Sequence, residues 1–115
     1  MKQAGQLALF RFPQTDLTEG KLRPALVLGK LPRKFDDWLV CMISTQLDQT
    51  VAKFDEIIQM ADADFKSSGL KQASIVRVGR LAVVEESVLV GSIGNISAER
   101  LTRIKSRLAN WLLQG

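Results

Sequence analysis

The chain has 115 residues, of which 46% are hydrophobic and 24% are charged, and it carries a net charge of +4 and no histidine. This length and composition predict one globular domain over residues 1–115. No apolar stretch approaches the ~20 residues that cross a bilayer, and no signal peptide is recognisable, so we expect no membrane association. The lack of histidine excludes His-based acid–base catalysis. The remaining potential ligands, one cysteine and scattered carboxylates, do not have the spacing of a transition-metal site.

Charge is distributed unevenly along the chain. Residues 1–34 carry seven lysines and arginines against two acidic residues, whereas residues 35–66 carry two against seven. A basic first segment favours a polyanion such as nucleic acid, although such charges can also simply solvate exposed faces. We expect the acidic middle segment to form a loop that repulsion keeps away from the polyanion.

Short apolar runs separated by turn residues predict a mainly β chain. The first three strands are expected at Leu7–Phe12, Ala25–Gly29 and Trp38–Ser44. A polar segment with turn residues separates the first two strands, and residues 32–37 are typical of a hairpin connection. Residues 54–60 fit a helix or a strand equally well. The remaining strands are expected at Ser74–Val78, Leu81–Val84 and Val88–Gly94.

The last segment predicts an amphipathic helix that begins after Ser97. Ser97 is a good N-cap, and Ile96 and Leu101 flank it as a hydrophobic staple. Apolar residues then recur at helical spacing, and three arginines occupy another side of the helix. The apolar residues are Leu101, Ile104, Leu108 and Leu112, and the arginines are Arg100, Arg103 and Arg107. Several short strands followed by one helix predict a small curled sheet or barrel that the helix closes.

Cysteine and the aromatic residues fit core positions. Cys41 is the only cysteine and lies in an apolar run, so we interpret it as a small buried hydrophobe. The chain cannot form an internal disulfide, which fits a reducing cytoplasm. Phe10, Phe12 and Trp38 are expected to flank the site described next, more as core than as base-stacking platforms, and Trp111 is expected to pack the helix onto the sheet.

The segment Lys21–Leu28 places an arginine directly before an apolar strand. Pro24 favours an extended conformation at Arg23, which gives the guanidinium a defined base. A second apolar run ends in Ser44-Thr45-Gln46. An arginine before one strand and hydroxyls after another can share one rim. Together they suit a phosphate, because arginine binds it in a bidentate way and hydroxyls add donors.

Several segments resemble the MazF/PemK toxins, which are mRNA endoribonucleases of type II toxin–antitoxin systems. The segments are Gly5, Phe12, Lys21–Leu28, Cys41–Gln46 and Ser74–Arg77. The resemblance implies a mainly β, SH3-like small barrel of the MazF/PemK/CcdB type with a C-terminal helix. It also implies a cytoplasmic homodimer, neutralised by a cognate antitoxin, that cleaves single-stranded RNA without a metal ion or cofactor. The products would be a 2′,3′-cyclic phosphate and a 5′-hydroxyl.

The resemblance also implies roles for individual residues. Arg23 matches the family's catalytic arginine, and Ser44 falls where the family has a catalytic Thr or Ser. Four further residues are expected to contact RNA or shape the pocket. They are Lys21, Thr45, Gln46 and Arg77. The structural alternatives are a surface ion pair of Arg23 with Asp16 or Glu19, and a turn satisfied by the Ser44 hydroxyl.

The chain departs from the PemK branch at one position. Arg77 matches an arginine of that branch, where an aspartate two residues later is the proposed general base, but Gly79 stands there in this chain. The branch's loop histidine is absent too. Either arginine and hydroxyl suffice, or Asp16 or Glu19 substitutes, or activity is weak or lost. The alternative function is therefore a weak or inactive MazF/CcdB-like barrel that binds a protein or nucleic acid without cleaving it. A generic SH3-like interaction domain leaves the spaced motifs unexplained.

Overall fold

The computed structural model describes residues 2–11, 21–32 and 35–115. Within these residues, six β-strands form one sheet, and two α-helices and two 3-10 turns accompany it. The strands are β1 (Gln6–Arg11), β2 (Leu22–Lys30), β3 (Asp37–Ser44), β4 (Glu56–Ile58), β5 (Ser74–Glu85) and β6 (Val90–Asn95). The helices are the short α1 (Phe65–Ser68) and the C-terminal α2 (Ala98–Gln114), and the 3-10 turns are Leu47–Gln49 and Glu86–Val88.

The strands pair in the order β4-β5-β3-β2-β1-β6, and every pairing is antiparallel. Side chains alternate between the two faces of the sheet, as the period of a strand requires. Leu26 and Leu28 of β2 join a core on the face that α2 covers, whereas Ala25 and Val27 join a second cluster on the other face. The predicted mainly β fold with a C-terminal helix is therefore confirmed.

β5 is one strand, where the sequence predicted two. Cys41 of β3 lies opposite Leu81, but the next residue, Met42, lies opposite Arg77. Residues 78–80 are therefore extra on β5 and form a bulge around Gly79. The expected break at Gly79 was wrong because a bulge bends a strand without ending its pairing.

The other elements agree with the sequence to within a few residues. Residues 54–60, which fitted a helix or a strand equally well, contain the strand β4. The strand expected at Val88–Gly94 is β6, and Val88 belongs to the 3-10 turn before it. Ser97 caps α2, since its Oγ accepts a hydrogen bond from the Arg100 amide at 3.2 Å. Phe12, the expected last residue of the first strand, lies outside the described residues. Among those that are described, no helix is long and apolar enough to cross a membrane.

Cys41 is fully buried among apolar side chains, as expected. Burial, and next the negative charge of Asp55, raise the pKa of its thiol to about 12. The thiol is therefore protonated at neutral pH and acts as a core residue.

The acidic middle segment binds the arginines of α2, which corrects the expectation of a loop held apart by repulsion. Arg100 is only 5% exposed, and its guanidinium bonds Asp64 at 2.8 Å, Asp62 at 2.9 Å and Glu56 at 3.1 Å. Arg103 also reaches Glu56, at 2.8 Å. Because a buried charge is costly unless it is paired, these contacts tie α2 to the segment that leads from β4 to α1.

Candidate active site

Arg23, Ser44 and Thr45 line one cavity of about 370 Å³ at the ends of β2 and β3. The strand register explains their proximity. Ala25 of β2 lies opposite Met42 of β3, so the same antiparallel register continued by two residues brings Arg23 to the level of Ser44. An arginine at the start of one strand and hydroxyls at the end of its neighbour therefore share one rim.

Arg23 is exposed and lies on a backbone held from one side by β1, where Phe10 is its partner in the register. The next residue, Pro24, is half-buried and lines the same cavity. This arrangement gives the guanidinium a fixed base beside the cavity. Asp16 and Glu19, the alternative ion-pair partners of Arg23, lie outside the described residues.

Ser44 is 7% exposed, and its Oγ accepts a hydrogen bond from the Gln46 amide at 3.1 Å. The hydroxyl therefore does satisfy the turn that follows β3. A hydroxyl oxygen that accepts this bond still has its own proton to donate. The turn thus fixes the position of Ser44 without using its capacity as a donor.

Lys21, Gln46 and Arg77 do not line this cavity. Lys21 and Gln46 are exposed next to Arg23 and Ser44 in the chain. Arg77 is half-buried, and its Nη1 donates a hydrogen bond to Gln49 Oε1 at 2.9 Å. Arg77 therefore holds the 3-10 turn after Ser44-Thr45-Gln46 against β5, a positional role that the sequence did not predict.

The sequence motifs missed one wall of the cavity. This wall runs from the end of α1 to the first residue of β5, and it adds a cation, an amide and a hydroxyl to the cavity. The lining residues from this segment are Gly69, Leu70, Lys71, Gln72 and Ser74. Gly69 was a local sequence signal for this wall. It ends α1 with a φ of 76°, and a glycine with positive φ at the end of a helix indicates that the chain changes direction there.

Gly79 makes room for an aromatic pair. A Cβ at this position would lie 3.2 Å from Phe54 Cε2, and the Phe54 ring in turn contacts Trp111 with centroids 6.1 Å apart. A side chain larger than glycine at this position would therefore require the Phe54 ring to shift. Trp111 packs on Phe54 as expected but remains 55% exposed.

Asp55, a carboxylate beside the bulge, uses both of its oxygens in hydrogen bonds to the backbone. Both oxygens of Asp55 accept backbone hydrogen bonds, one from Val51 at 2.9 Å and one from Val78 at 3.0 Å. Asp55 is buried and does not line the cavity. It therefore stabilises the bulge and is not part of the cavity.

Trp38 does not flank the cavity, which corrects the sequence interpretation. It lies at the other end of β3 from Ser44 and is buried with Ala25 and Val40 on the face opposite α2. Phe10 packs against this same cluster. The expectation that these two aromatic residues belong to the core is confirmed. The expectation that Trp38 flanks the site was wrong, because Trp38 lies at the end of β3 that is distant from Ser44.

Residues 3–112 match the family model described as PemK-like, MazF-like toxin of type II toxin–antitoxin system. Among curated proteins, none matches this chain significantly. Solved structures are similar over almost the whole chain. An endoribonuclease from a mycobacterial species, in complex with its cognate antitoxin, is 14% identical with a TM-score of 0.73 and covers 100% of this chain and 98% of its own.

Two further structures have the same fold. The MazE–MazF complex from Deinococcus radiodurans is 18% identical, has a TM-score of 0.69 and covers 99% of this chain and 97% of its own. The Mycobacterium tuberculosis toxin MazF-mt6 is 18% identical, has a TM-score of 0.66 and covers 93% and 95%. At these identities the likeness is one of fold, and it confirms the predicted barrel type.

Proposed function

Because this chain belongs to the PemK-like, MazF-like toxins of type II toxin–antitoxin systems, we propose that the cavity lined by Arg23 and Ser44 is the active site of an endoribonuclease. The enzyme cleaves single-stranded RNA and acts as the toxin of its pair in the cytoplasm. One observation carries this proposal: the arginine and the hydroxyl, 21 positions apart in sequence, line a single cavity.

The reaction proposed is the one that the resemblance to the family implies, and the donors of the cavity suit it. The ribose 2′-hydroxyl attacks the adjacent phosphorus, the P–O2′ bond forms and the P–O5′ bond breaks. The products are a 2′,3′-cyclic phosphate and a 5′-hydroxyl. Charge builds on the non-bridging phosphate oxygens, where Arg23 supplies a positive charge and Ser44 a hydrogen bond. These two groups stabilise the transition state without a metal ion or cofactor.

Proton transfer is the weak part of this site. No carboxylate is among the described residues that line the cavity, and Asp16 and Glu19, the alternative bases, lie outside the described residues. We propose that water takes up the 2′-hydroxyl proton and supplies the proton that the leaving 5′-oxygen needs. General acid–base help contributes roughly 10²–10⁴-fold to a rate. We therefore expect an enzyme that is slower than one with an intact base, and still dependent on Arg23.

The direct test is cleavage of a mixed single-stranded RNA in EDTA by the wild type, Arg23→Ala and Ser44→Ala. Removal of one preorganised donor lowers such rates by about 10²–10³-fold, and we expect losses of this order in both variants. Arg80→Ala is the matched control, because Arg80 is exposed on the bulge of β5 and does not line the cavity. Equal cleavage by the wild type and Arg23→Ala would refute the proposal.

A second candidate function is binding of nucleic acid or a protein without cleavage. It is favoured by Gly79, which stands where the PemK branch has an aspartate as its proposed general base. In that case the wild type would bind an uncleavable single-stranded DNA yet produce no 2′,3′-cyclic phosphate from RNA. Measuring both with one preparation separates the two functions.

We also propose two protein partners. A cognate antitoxin would present an acidic segment to the basic rim formed by Lys21, Arg23 and Lys71; two of the similar structures are complexes of a toxin with its antitoxin. A second copy of the chain would form a homodimer. Such a homodimer could bury exposed apolar side chains, among them Val83 and Val90. Light scattering on the purified chain, alone and with the antitoxin, measures both states.

A further inference from the structure

The candidate active site offers more than a phosphate requires. A phosphate is recognised by charge and hydrogen-bond donors, yet much of this cavity is apolar. Leu9, Ile43, Leu70 and Ile93 line it together with the polar residues. Its volume of about 370 Å³ lies within the range of small-molecule pockets, roughly 300–1,000 Å³.

We propose that this cavity also holds the nucleobase next to the scissile phosphate and that Gln72 reads the edge of that base. The proposal rests on the function given above and names the part of the RNA that the same site would recognise. A nucleobase has apolar faces and a polar edge, so it suits an apolar floor with a polar rim. Specific recognition of single-stranded RNA commonly uses bases that are splayed out in this way.

Gln72 has the chemistry to read a base. Its side-chain amide both donates and accepts hydrogen bonds, which matches the paired donor and acceptor groups on a base edge. Gln72 is exposed at the rim, and its side chain makes no hydrogen bond to any other described residue. Its backbone is fixed instead, because Ser74 Oγ donates to the Gln72 carbonyl at 2.9 Å. A fixed backbone with an unengaged amide is what a reading residue needs.

The wall that carries Gln72 is preformed. A Cβ at Gly69 would lie 1.9 Å from the Ile93 carbonyl oxygen, and one at Gly94 would lie 2.2 Å from the Ser67 carbonyl oxygen. The backbone of residues 67–69 therefore lies directly on β6. Ser68 Oγ also accepts a hydrogen bond from the Leu70 amide at 3.2 Å. These contacts fix the distance between the wall and the sheet, and hence the width of the pocket.

Lys71 and Gln72 differ in chemistry and suit different parts of the RNA. It is exposed beside Gln72 on the same wall. A lysine acts as a point charge with rotatable donors, whereas an amide has a fixed donor–acceptor pattern. Lys71 thus suits a phosphate of the RNA backbone, and Gln72 suits the base. Only a change at Gln72 should alter sequence preference.

The test uses a randomised 2′-fluoro RNA pool, which lacks the attacking hydroxyl and remains intact. The pool is bound to the wild type, to Gln72→Leu and to the control Gln114→Leu, and the bound fractions are sequenced. Gln114 is an exposed glutamine at the end of α2, a helix that contributes none of the cavity's lining residues. The same three proteins then cleave a mixed RNA in EDTA, and the cut sites are mapped.

We expect the wild type and Gln114→Leu to enrich one base at one position by about ten-fold, the scale of a bidentate side-chain–base pair. Gln72→Leu should lose that enrichment at this position alone. An unchanged preference in Gln72→Leu, or no preference in the wild type, would overturn the proposal. Cleavage without base preference refutes the base pocket and leaves the nuclease intact. Lost enrichment in Gln72→Leu without any cleavage by the wild type refutes the nuclease alone.

Discussion

Gly69 is the residue on which the candidate pocket depends most directly. It has a φ of 76°, in the left-handed region, and it ends α1 by turning the chain toward Lys71 and Gln72. Its Cα also lies against the backbone of β6 at Ile93, with no space for a methyl group. Backbone conformation and close approach therefore both require glycine here.

We predict that Gly69→Ala destabilises the protein by about 3 kcal/mol, because it combines an unfavourable φ with a clash against rigid backbone. The measurement is the free energy of unfolding in urea. Gly29→Ala is the matched control. Nothing lies within 4 Å of a Cβ built at Gly29, and the change there should stay within about 1 kcal/mol. Similar values for the two variants would contradict the close packing of this wall on β6.

Single residues also show what the sequence could and could not predict. That Arg23 and Ser44 share one rim could be predicted, because each adjoins an apolar strand and belongs to a spaced motif. Lys71 and Gln72 were missed because their place depends on how α1 packs on β6, a contact between segments far apart in the chain. The bonds from Arg77 to Gln49 and from Asp55 to the bulge are long-range for the same reason.

At the scale of elements, α2 is held by charge as well as by its apolar stripe. Ile104 and Leu108 pack into the core, while the Arg100 guanidinium is buried among Glu56, Asp62 and Asp64. The hydrogen bond from Arg100 is the largest cause that lowers the pKa of Asp64, to about 2. The Gln59 amide and then Arg100 likewise lower the pKa of Asp62. Asp62 and Asp64 thus remain charged well below neutral pH.

We predict that Arg100→Met costs about 3–5 kcal/mol at pH 7, because it leaves the buried carboxylate of Asp64 without its cation. Urea unfolding measures this cost. Arg103→Met is the matched control, since the side chain of Arg103 is 51% exposed on the same helix and also binds Glu56. An exposed ion pair contributes at most about 1 kcal/mol, so the control should change little.

The same pair of variants gives a pH dependence with a defined sign. Because the pKa of Asp64 is lower in the folded state than its unfolded value of about 3.9, its contribution to stability is present above pH 4 and is lost as the pH falls toward 2. The difference between the wild type and Arg100→Met should therefore narrow by on the order of 2 kcal/mol over this interval. A difference that stays constant from pH 5 to pH 2 would contradict the assignment.

Periodicity in the sequence predicts the helices and strands but not which of them contact each other. The strand pattern, the capping of α2 by Ser97 and the apolar stripe of the helix were all readable, since they depend on neighbours in sequence. The acidic partners of the α2 arginines could not be predicted from the sequence. Helical periodicity shows on which side of the helix the arginines lie, but not which segment packs against that side. The bulge in β5 was equally hidden, as it is defined by the register against β3.

At the scale of the whole molecule, the pairing of α2 with the acidic segment changes the meaning of the net charge. Residues 35–66 hold seven of the twelve acidic residues, and three of those seven face Arg100. Arg100, Arg103 and Arg107 together offset the negative charge of these three carboxylates within the fold. Lys21, Arg23 and Lys71 are exposed cations on or beside the rim of the cavity, where a polyanion bound at the cavity would meet them.

This arrangement predicts the salt dependence of nucleic-acid binding. Each phosphate neutralised on a single strand contributes about −0.7 to the slope of log K against log salt, so three contacts give about −2. Arg23→Ala and Lys71→Ala should each reduce the slope by about 0.7, as measured by fluorescence anisotropy with an uncleavable single-stranded DNA. Lys105→Ala is the control, because Lys105 is an exposed cation on α2, away from the cavity. An equal reduction by Lys105→Ala would mean that the net charge, and not this rim, attracts the strand.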